Sequence, residues 1–260
     1  MKNLKKTLLS LIALGTLAIP SMAYADGYHA RSVTYGNYQA INGFLKIPSS
    51  YAGNEKPSIE AYPEMFFGMY NKENKGFDIG LAYGLNGKRE WRLVFWSSPE
   101  AYADKWASSD HAVPKVKPND ELQVQATVLK QNNAYYAQAD VYKNGSWIDG
   151  FEVPINADWA ADFLANGGHF NRELNIAANS SFDIYTKSGA YFNNAQWGKT
   201  WLIKDINNSD SWTGWTTDIS QNYEQGPDEG GSDLKGSKVF TTQTVKDGFI
   251  IDIVSMNFRK

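Results

Sequence analysis

Short runs of alternating or aromatic-rich residues, separated by turn residues, recur along the whole chain. Such runs predict β-strands, because successive side chains of a strand point to opposite faces. The predicted strands cover residues 64–70, 77–83, 90–96, 121–129, 134–142, 172–177, 181–185, 199–204, 238–245 and 249–258. Asn86-Gly87, Asn144-Gly145 and Asp247-Gly248 suit two-residue turns, whose central positions need positive φ. The pattern predicts an all-β fold, an antiparallel β-sandwich or barrel.

Two short segments interrupt this pattern and predict helices. Ser97 or Ser98 can cap the first, with Pro99 in its first turn. The second covers residues 156–165 and ends before Gly167-Gly168. The prediction is therefore a β-sandwich with one or two short helices.

The predicted hairpin 77–96 contains an acid, Asp78, within an otherwise apolar strand. A two-residue turn at Asn86-Gly87 pairs Ala82 with Trp91, and so places Trp91 on the same face as Asp78. That face also carries small residues on the first strand, which leave a trough. We therefore predict Asp78 and Trp91 as neighbours at a ligand groove, with a crossing chain segment as the alternative.

The first 25 residues have the pattern of a secretory signal peptide. Lysines come first, followed by the apolar run 8–19 and the cleavage signal Ala23-Tyr24-Ala25. The run is too short to span a bilayer, and no second apolar stretch follows it. We therefore expect a secreted, extracellular protein with no transmembrane segment. Residues 26–260 contain no long linker and predict a single β-sandwich domain, which we expect to be monomeric.

Charge and cysteine content exclude several classes of protein. Without the lysines of the signal segment, 22 basic residues stand against 28 acidic ones, a formal charge of about −6. This acidic balance argues against a nucleic-acid partner. The chain has no cysteine, which excludes disulfides, thiolate metal sites and a cysteine nucleophile.

Few residues have the spacing of a metal or cofactor site. The three histidines lie far apart in the sequence. Asp205, Asn207 and Ser209 supply hard oxygen atoms at alternating positions, as at the start of a calcium loop, but the glycine and closing glutamate are missing. We expect no cofactor. A structural calcium ion at these residues is the alternative to a solvated turn.

Nine tryptophans and fifteen tyrosines are many for 260 residues. Trp201, Trp212 and Trp215 lie in sequence rich in asparagine and threonine. An indole combines an apolar face with a polar edge, which suits stacking on a sugar ring. These three are candidate ligand-binding residues, with a core position as the alternative for each.

The order of motifs resembles the glutamic peptidase (eqolisin) family, whose fold is a concanavalin A-like β-sandwich. The motifs that carry the resemblance are GFLKIPSS (43–50), FFGMYN (66–71), GFDIG (76–80), EWRLVFW (90–96), VKPNDELQVQATV (116–128) and NRELNIAAN (171–179). The chain is also similar to secreted Bacillus proteins of the YrpD type, a resemblance that implies no function.

The resemblance does not extend to the catalytic residues. It places Asp78 where the family has its catalytic glutamine and Ala177 where it has its catalytic glutamate. If Ala177 lies on the groove face of its strand, Glu173 and Asn175 lie there too, because alternate residues share a face. We therefore predict Asp78, Glu173 and Asn175 at one groove.

Two functions follow from these observations. The sequence favours a secreted, non-catalytic, lectin-like protein that binds an extracellular polysaccharide or a cell-wall component through a concave groove. The alternative is a secreted hydrolase or lyase, glutamic-peptidase-like or polysaccharide-degrading, in which Asp78 and Glu173 form an acid–base pair.

Overall fold

The structure, a computed structural model, describes residues 26–53, 61–85, 88–102, 109–178, 188–227 and 239–259. The signal segment, the predicted strand 181–185 and the Asn86-Gly87 turn lie outside these residues. The described part forms sixteen strands and one α-helix. They are β1 (Asp26–Gly36), β2 (Ala40–Lys46), β3 (Ser50–Ala52), β4 (Ala61–Asn71), β5 (Gly76–Tyr83), β6 (Trp91–Ser97), β7 (Ser109–Ala112), β8 (Glu121–Gln131), β9 (Ala134–Lys143), β10 (Ser146–Pro154), α1 (Ala157–Asn166), β11 (Gly168–Ala178), β12 (Tyr191–Ile203), β13 (Trp212–Gly214), β14 (Gln221–Pro227), β15 (Val239–Lys246) and β16 (Phe249–Asn257).

The strands form two antiparallel sheets, which confirms the predicted β-sandwich. One sheet has seven strands in the order β14-β1-β11-β4-β5-β6-β7. The other has nine, in the order β10-β9-β8-β2-β12-β16-β15, with β3 and β13 also paired to β12. Among the described residues no helix has the length and apolar character needed to span a bilayer.

The core lies between the two sheets and is rich in aromatic side chains. Trp197 of β12 stacks on Phe67 of β4 with ring centroids 4.1 Å apart. Its indole N–H also donates to the Glu173 carbonyl oxygen of β11 at 3.0 Å. The contact joins the sheets and fixes the backbone of β11 at Glu173.

A buried ion pair crosses the same core. The Nε atom of Arg172 in β11 lies 2.7 Å from a carboxylate oxygen of Asp252 in β16, although no aligned hydrogen bond joins Nε to it. The guanidinium donates to the Ile250 carbonyl oxygen at 2.9 Å and lies 4.8 Å from the ring centroid of Trp215. Burial lowers the pKa of Arg172, and the Asp252 charge opposes that shift.

Two predicted turns and one predicted helix are confirmed. The central residues of Asn144-Gly145 have φ values of 52° and 75°, and those of Asp247-Gly248 have 51° and 84°. The Asn156 side chain caps α1 by accepting hydrogen bonds from the Asp158 and Trp159 backbone N–H groups. At the other predicted helix, residues 99–101 form a turn, and residues 103–108 lie outside the described part.

The predicted register of the β5–β6 hairpin is wrong by one residue. Trp91 pairs with Tyr83 rather than Ala82. The connection from Gly84 to Glu90 is therefore longer than a two-residue turn, and a shift of one residue moves a side chain to the opposite face. Trp91 points into the core, 2% exposed, and Asp78 lies on the outer face across from Trp96.

Candidate functional site

The outer face of the seven-stranded sheet carries an unusual number of buried polar side chains. Alternate residues of β11 supply His169, Asn171, Glu173 and Asn175, and all four are buried. The register shows that Glu173, Asn175 and Ala177 share this face, as the strand pattern predicts. Buried polar groups are costly unless they are hydrogen-bonded or serve a ligand, so this face is the candidate site.

Asp78 is tied to this face by Tyr70 of β4. The Tyr70 hydroxyl donates a short hydrogen bond to a carboxylate oxygen of Asp78. Burial and the neighbouring Asp78 carboxylate raise the pKa of Tyr70 well above its ordinary value, with a smaller contribution from Glu173. Tyr70 therefore stays protonated, and its hydroxyl lies within the electrostatic influence of both acids.

Gly68 provides the space in which Tyr70 reaches Asp78. Gly68 pairs with Asp78 on one side and with Asn171 on the other. A β-carbon on Gly68 would lie 2.4 Å from a ring carbon of Tyr70 and 2.1 Å from the Asn171 Oδ1 atom. The phenol ring and the amide thus approach the bare backbone, and any side chain at position 68 would displace one of them.

Glu173 is held by a cation from β1 and an amide from its own strand. An Arg31 guanidinium nitrogen lies 3.7 Å from a Glu173 carboxylate oxygen, and Asn175 donates to the other oxygen at 3.1 Å. Arg31 Nε also donates to Glu224 of β14 at 2.8 Å. Burial alone would lower the pKa of Arg31, but the two acids raise it above its ordinary value. The cation is therefore permanently charged.

The strand register gives the separation between Asp78 and Glu173, which lie on strands separated by β4. Asp78 of β5 aligns with Gly68 of β4, and Gly68 aligns with Asn171, two residues before Glu173. Two strand spacings and one two-residue step place the Cα atoms of Asp78 and Glu173 about 12 Å apart. The Tyr70 hydroxyl lies between their strands.

An apolar cluster adjoins the polar residues. Ala177 pairs with Tyr62 and packs in this cluster with Ala82, Leu85 and Val94. The position that the sequence resemblance assigns to a catalytic glutamate thus has apolar surroundings. A carboxylate there would lose hydration without gaining a partner from this cluster.

His169 stacks on Tyr70, with ring centroids 4.8 Å apart and planes inclined by 13°. Burial and the positive charge of Arg31 lower the pKa of His169 to about 4. The imidazole is therefore neutral above that pH. It supports the position of the Tyr70 ring and carries no charge.

Two side-chain oxygens of β11 lack partners. Asn171 Oδ1 and Asn175 Oδ1 are buried and accept no hydrogen bond within the described part of the chain. An unsatisfied buried acceptor is costly, so each of these atoms is suited to a donor on a bound molecule.

The four tryptophans predicted as ligand-binding residues lie in different parts of the structure. Trp91 cannot stack on a ligand beside Asp78, because it is in the core. Trp215 is fully buried beneath Arg172 and has no exposed face. Trp201 is half-buried between Phe44 and Phe249, and Trp212 is 38% exposed. These last two lie on the nine-stranded sheet, so none of the four lies beside Asp78 and Glu173.

The residues of the predicted calcium loop form a turn after β12. The Asp205 carboxylate accepts from the Asn207 backbone N–H at 2.9 Å, which satisfies one of its oxygens locally. The described residues contain no group of three or more histidine, cysteine, aspartate or glutamate side chains that could hold a metal ion. Calcium binding at Asp205, Asn207 and Ser209 stays a prediction.

Sequence reasoning missed Arg31, Tyr70 and Glu64 at this site. Glu64 is buried on the same face of β4 as Tyr70. The sequence contained a signal for Glu64 and Tyr70. They are the polar residues of the predicted strand 64–70, and a spacing of six residues places them on the same face. Arg31 had no such signal, since β1 was not predicted as a strand.

Comparison with solved structures finds a similar β-sandwich in glutamic peptidases. A scytalido-glutamic peptidase bound to a transition state analog inhibitor matches with a TM-score of 0.51 and 12% identity, over 89% of this chain and 98% of that one. The same peptidase with a peptide-based analog matches with a TM-score of 0.47 and 11% identity, over 90% and 99% of the two chains. SCP-B, a member of the eqolisin family in complex with the tripeptide Ala-Ile-His, matches with a TM-score of 0.46 and 10% identity, over 89% and 98%.

No family model matches the chain, and no curated protein sequence matches it. At 12% identity the likeness concerns the fold alone. The chain therefore has an eqolisin-like β-sandwich fold.

Proposed function

We propose that this chain is an exported hydrolase whose reaction site is the outer face of the seven-stranded sheet. The observation that carries the proposal is the buried Tyr70–Asp78 hydrogen bond beside the Arg31–Glu173 ion pair. The signal-peptide pattern of residues 1–25 supports export. The glutamic peptidases that share the fold support hydrolysis over binding alone, and make peptide bonds the first substrate class to test.

Glu173 suits the role of general base. Its surroundings, a guanidinium and an amide donor, favour the carboxylate ion. In the proposed reaction Glu173 takes a proton from water, and the hydroxide attacks the scissile carbonyl carbon. Asp78, which starts the cycle protonated, gives its proton to the leaving nitrogen as the bond from that nitrogen to carbon breaks. Transfer of the Glu173 proton to Asp78 through solvent then completes the cycle.

Tyr70 supports both steps through its bond with Asp78. When Asp78 is ionised, the phenol O–H donates a hydrogen bond to the carboxylate. When Asp78 is protonated, the direction of this bond can reverse, which frees the phenol O–H to donate to the developing oxyanion. A donor placed in this way stabilises the transition state more than the substrate.

A non-catalytic, lectin-like function is the second candidate, favoured by a different observation. Asn171 Oδ1 and Asn175 Oδ1 are buried acceptors without partners in the described chain, and can accept from a ligand that is held and not cleaved. The lectin-like function predicts that a ligand binds at this face and that no hydrolysis product forms.

Product analysis tests the proposed function. The mature chain is incubated with denatured casein and with soluble β-glucan from pH 3 to 8. New amino termini and new reducing ends are measured in parallel. We expect new amino termini, and none from the Asp78→Asn/Glu173→Gln double variant purified in the same way. Absence of both products with folded protein contradicts hydrolysis of these two polymer classes, and product from the double variant assigns the activity to a contaminant.

A further inference from the structure

The outer face of the nine-stranded sheet carries a second set of organised polar and aromatic groups, remote from Asp78. The register places Gly150, Asp140, Gln125, Asn42 and Trp201 in one row across β10, β9, β8, β2 and β12. Four strand spacings make this row about 19 Å long. Gln125, Asp140 and Trp201 of this row are partly exposed, whereas Asn42 is buried at 1% exposure. The exposed members are thus an amide, an acid and an indole, rather than the lysines and glutamates typical of a solvated face.

Trp147 forms the other aromatic end of this row. It is 58% exposed, yet its indole N–H donates to Asp140 Oδ1 at 3.0 Å. A β-carbon on Gly150 would lie 3.1 Å from the same indole nitrogen, so the ring approaches the bare backbone of Gly150. An exposed indole held in one orientation presents a fixed apolar surface to solvent, at little further cost in conformational entropy on binding.

The amides of this face are positioned by hydrogen bonds among themselves. Gln123 donates to Asn42 at 3.1 Å, and Gln138 donates to Asp140 Oδ2 at 2.8 Å. Gln125 donates to Thr127 at 3.1 Å. These bonds use one side-chain N–H of each glutamine, so the amide oxygens and the remaining N–H groups can serve a ligand.

The single acid of this row indicates which class of ligand the face can bind. Asp140 is the one ionisable member of the row, and Trp147 and Gln138 donate to its two oxygens. Its carboxylate is therefore occupied and is poorly placed to bind a cation or a basic peptide. Fixed amides combined with rigid aromatic rings instead match a molecule with many hydroxyl groups and apolar ring faces.

We propose that this face, defined by Trp147, Asp140, Gln125, Gln123 and Trp201, binds a neutral polysaccharide chain, with the buried Asn42 holding Gln123 in place. A sugar ring stacks on the exposed indole of Trp147, and the hydroxyl groups of the following sugars exchange hydrogen bonds with the amides. The row is long enough for several sugar rings. The face lies on the sheet opposite the proposed hydrolytic site, and its role is independent of that site.

Affinity electrophoresis of the mature chain tests this proposal. Native gels contain hydroxyethylcellulose, galactomannan or laminarin as neutral polysaccharides, and gelatin as a protein polymer. We expect retardation by at least one polysaccharide and none by gelatin. Oligosaccharides of that polymer should compete better as their length approaches that of the row.

Two variants locate the binding. Trp147→Ala should weaken the affinity about tenfold, since the stacking surface is lost. Phe240→Ala is the matched control, because Phe240 is similarly exposed at 61% but lies on β15, the opposite edge strand of the nine-stranded sheet and outside the row. No retardation by any of the three polysaccharides overturns the proposal, as do equal losses in the two variants or retardation by gelatin alone. Asp78→Asn should keep full retardation, which separates failure here from failure of the hydrolytic proposal.

Discussion

Arg172→Met is expected to lower the free energy of unfolding by about 3–5 kcal/mol, the cost of leaving a buried charge without its partner. Arg172 is 0% exposed, and its removal leaves Asp252 in the core, where the remaining hydrogen bonds from the described residues come from Ser32 and Gln243. The contacts with the Ile250 carbonyl and the Trp215 ring are lost as well. Urea unfolding, followed by circular dichroism, measures the change.

The surface pair Lys199–Asp247 supplies the control. Lys199 Nζ lies 2.9 Å from a carboxylate oxygen of Asp247, but both side chains are exposed. Lys199→Met should leave the unfolding midpoint nearly unchanged, because solvent screens such pairs. Arg172→Met/Asp252→Leu should recover part of the loss, since replacing both buried charges removes the unpaired one. An Arg172→Met midpoint equal to wild type would show that the ion pair does not hold the sheets together.

Trp91→Ala is expected to lower the free energy of unfolding by a similar amount, about 3–5 kcal/mol. Trp91 packs against Tyr51 and Tyr83, with ring centroids 5.0 and 5.4 Å away. It also lines a cavity of about 290 Å³ at this end of the sandwich, which the truncation would enlarge. The same urea titration measures the loss.

Trp212→Ala is the matched control for Trp91→Ala. Trp212 is 38% exposed on the short strand β13, so its truncation should lower the free energy of unfolding by about 1–2 kcal/mol, less than that of Trp91. Equal, small losses in both variants would contradict the register in which Trp91 faces the core. That outcome would favour the alternative register, with Trp91 beside Ala82 and Asp78.

Local sequence signals predicted much of the sandwich. Asn144-Gly145 and Asp247-Gly248 adopt positive φ values that asparagine, aspartate and glycine tolerate better than other residues. Alternation located most of the strands, and Asn156 marked the start of the helix. Each of these signals acts between residues that are close in the chain, so a single sequence contains it.

The β5–β6 register could not be obtained in the same way. Asn86-Gly87 suits a two-residue turn, but Tyr83 pairs with Trp91 across a longer connection. A turn signal gives the place where the chain reverses, whereas register depends on which face is buried against the other sheet. The hairpin sequence alone carries no information about how the second sheet packs against it.

The candidate site illustrates the same limit at longer range. Tyr70 and Asp78 are eight residues apart, and their adjacent strands were both predicted. Arg31 reaches Glu173 because β1 pairs with β11, two strands separated by more than a hundred residues of chain. Trp215 lies in polar sequence, yet it is buried under Arg172. Sequence neighbours do not reveal such contacts, because tertiary packing creates them.

The proposed function requires Asp78 and Glu173 to act together at the outer face of the seven-stranded sheet. Its most direct test is the rate of peptide hydrolysis by wild type, Asp78→Asn and Glu173→Gln, with unfolding midpoints measured on the same samples. Glu152→Gln, a change of an exposed acid on the other sheet, is the control. We predict that each site variant lowers the rate by about 10²–10⁴-fold, the usual contribution of a general acid or base, while remaining folded. Folded site variants that cleave at the wild-type rate, as Glu152→Gln should, would contradict the account.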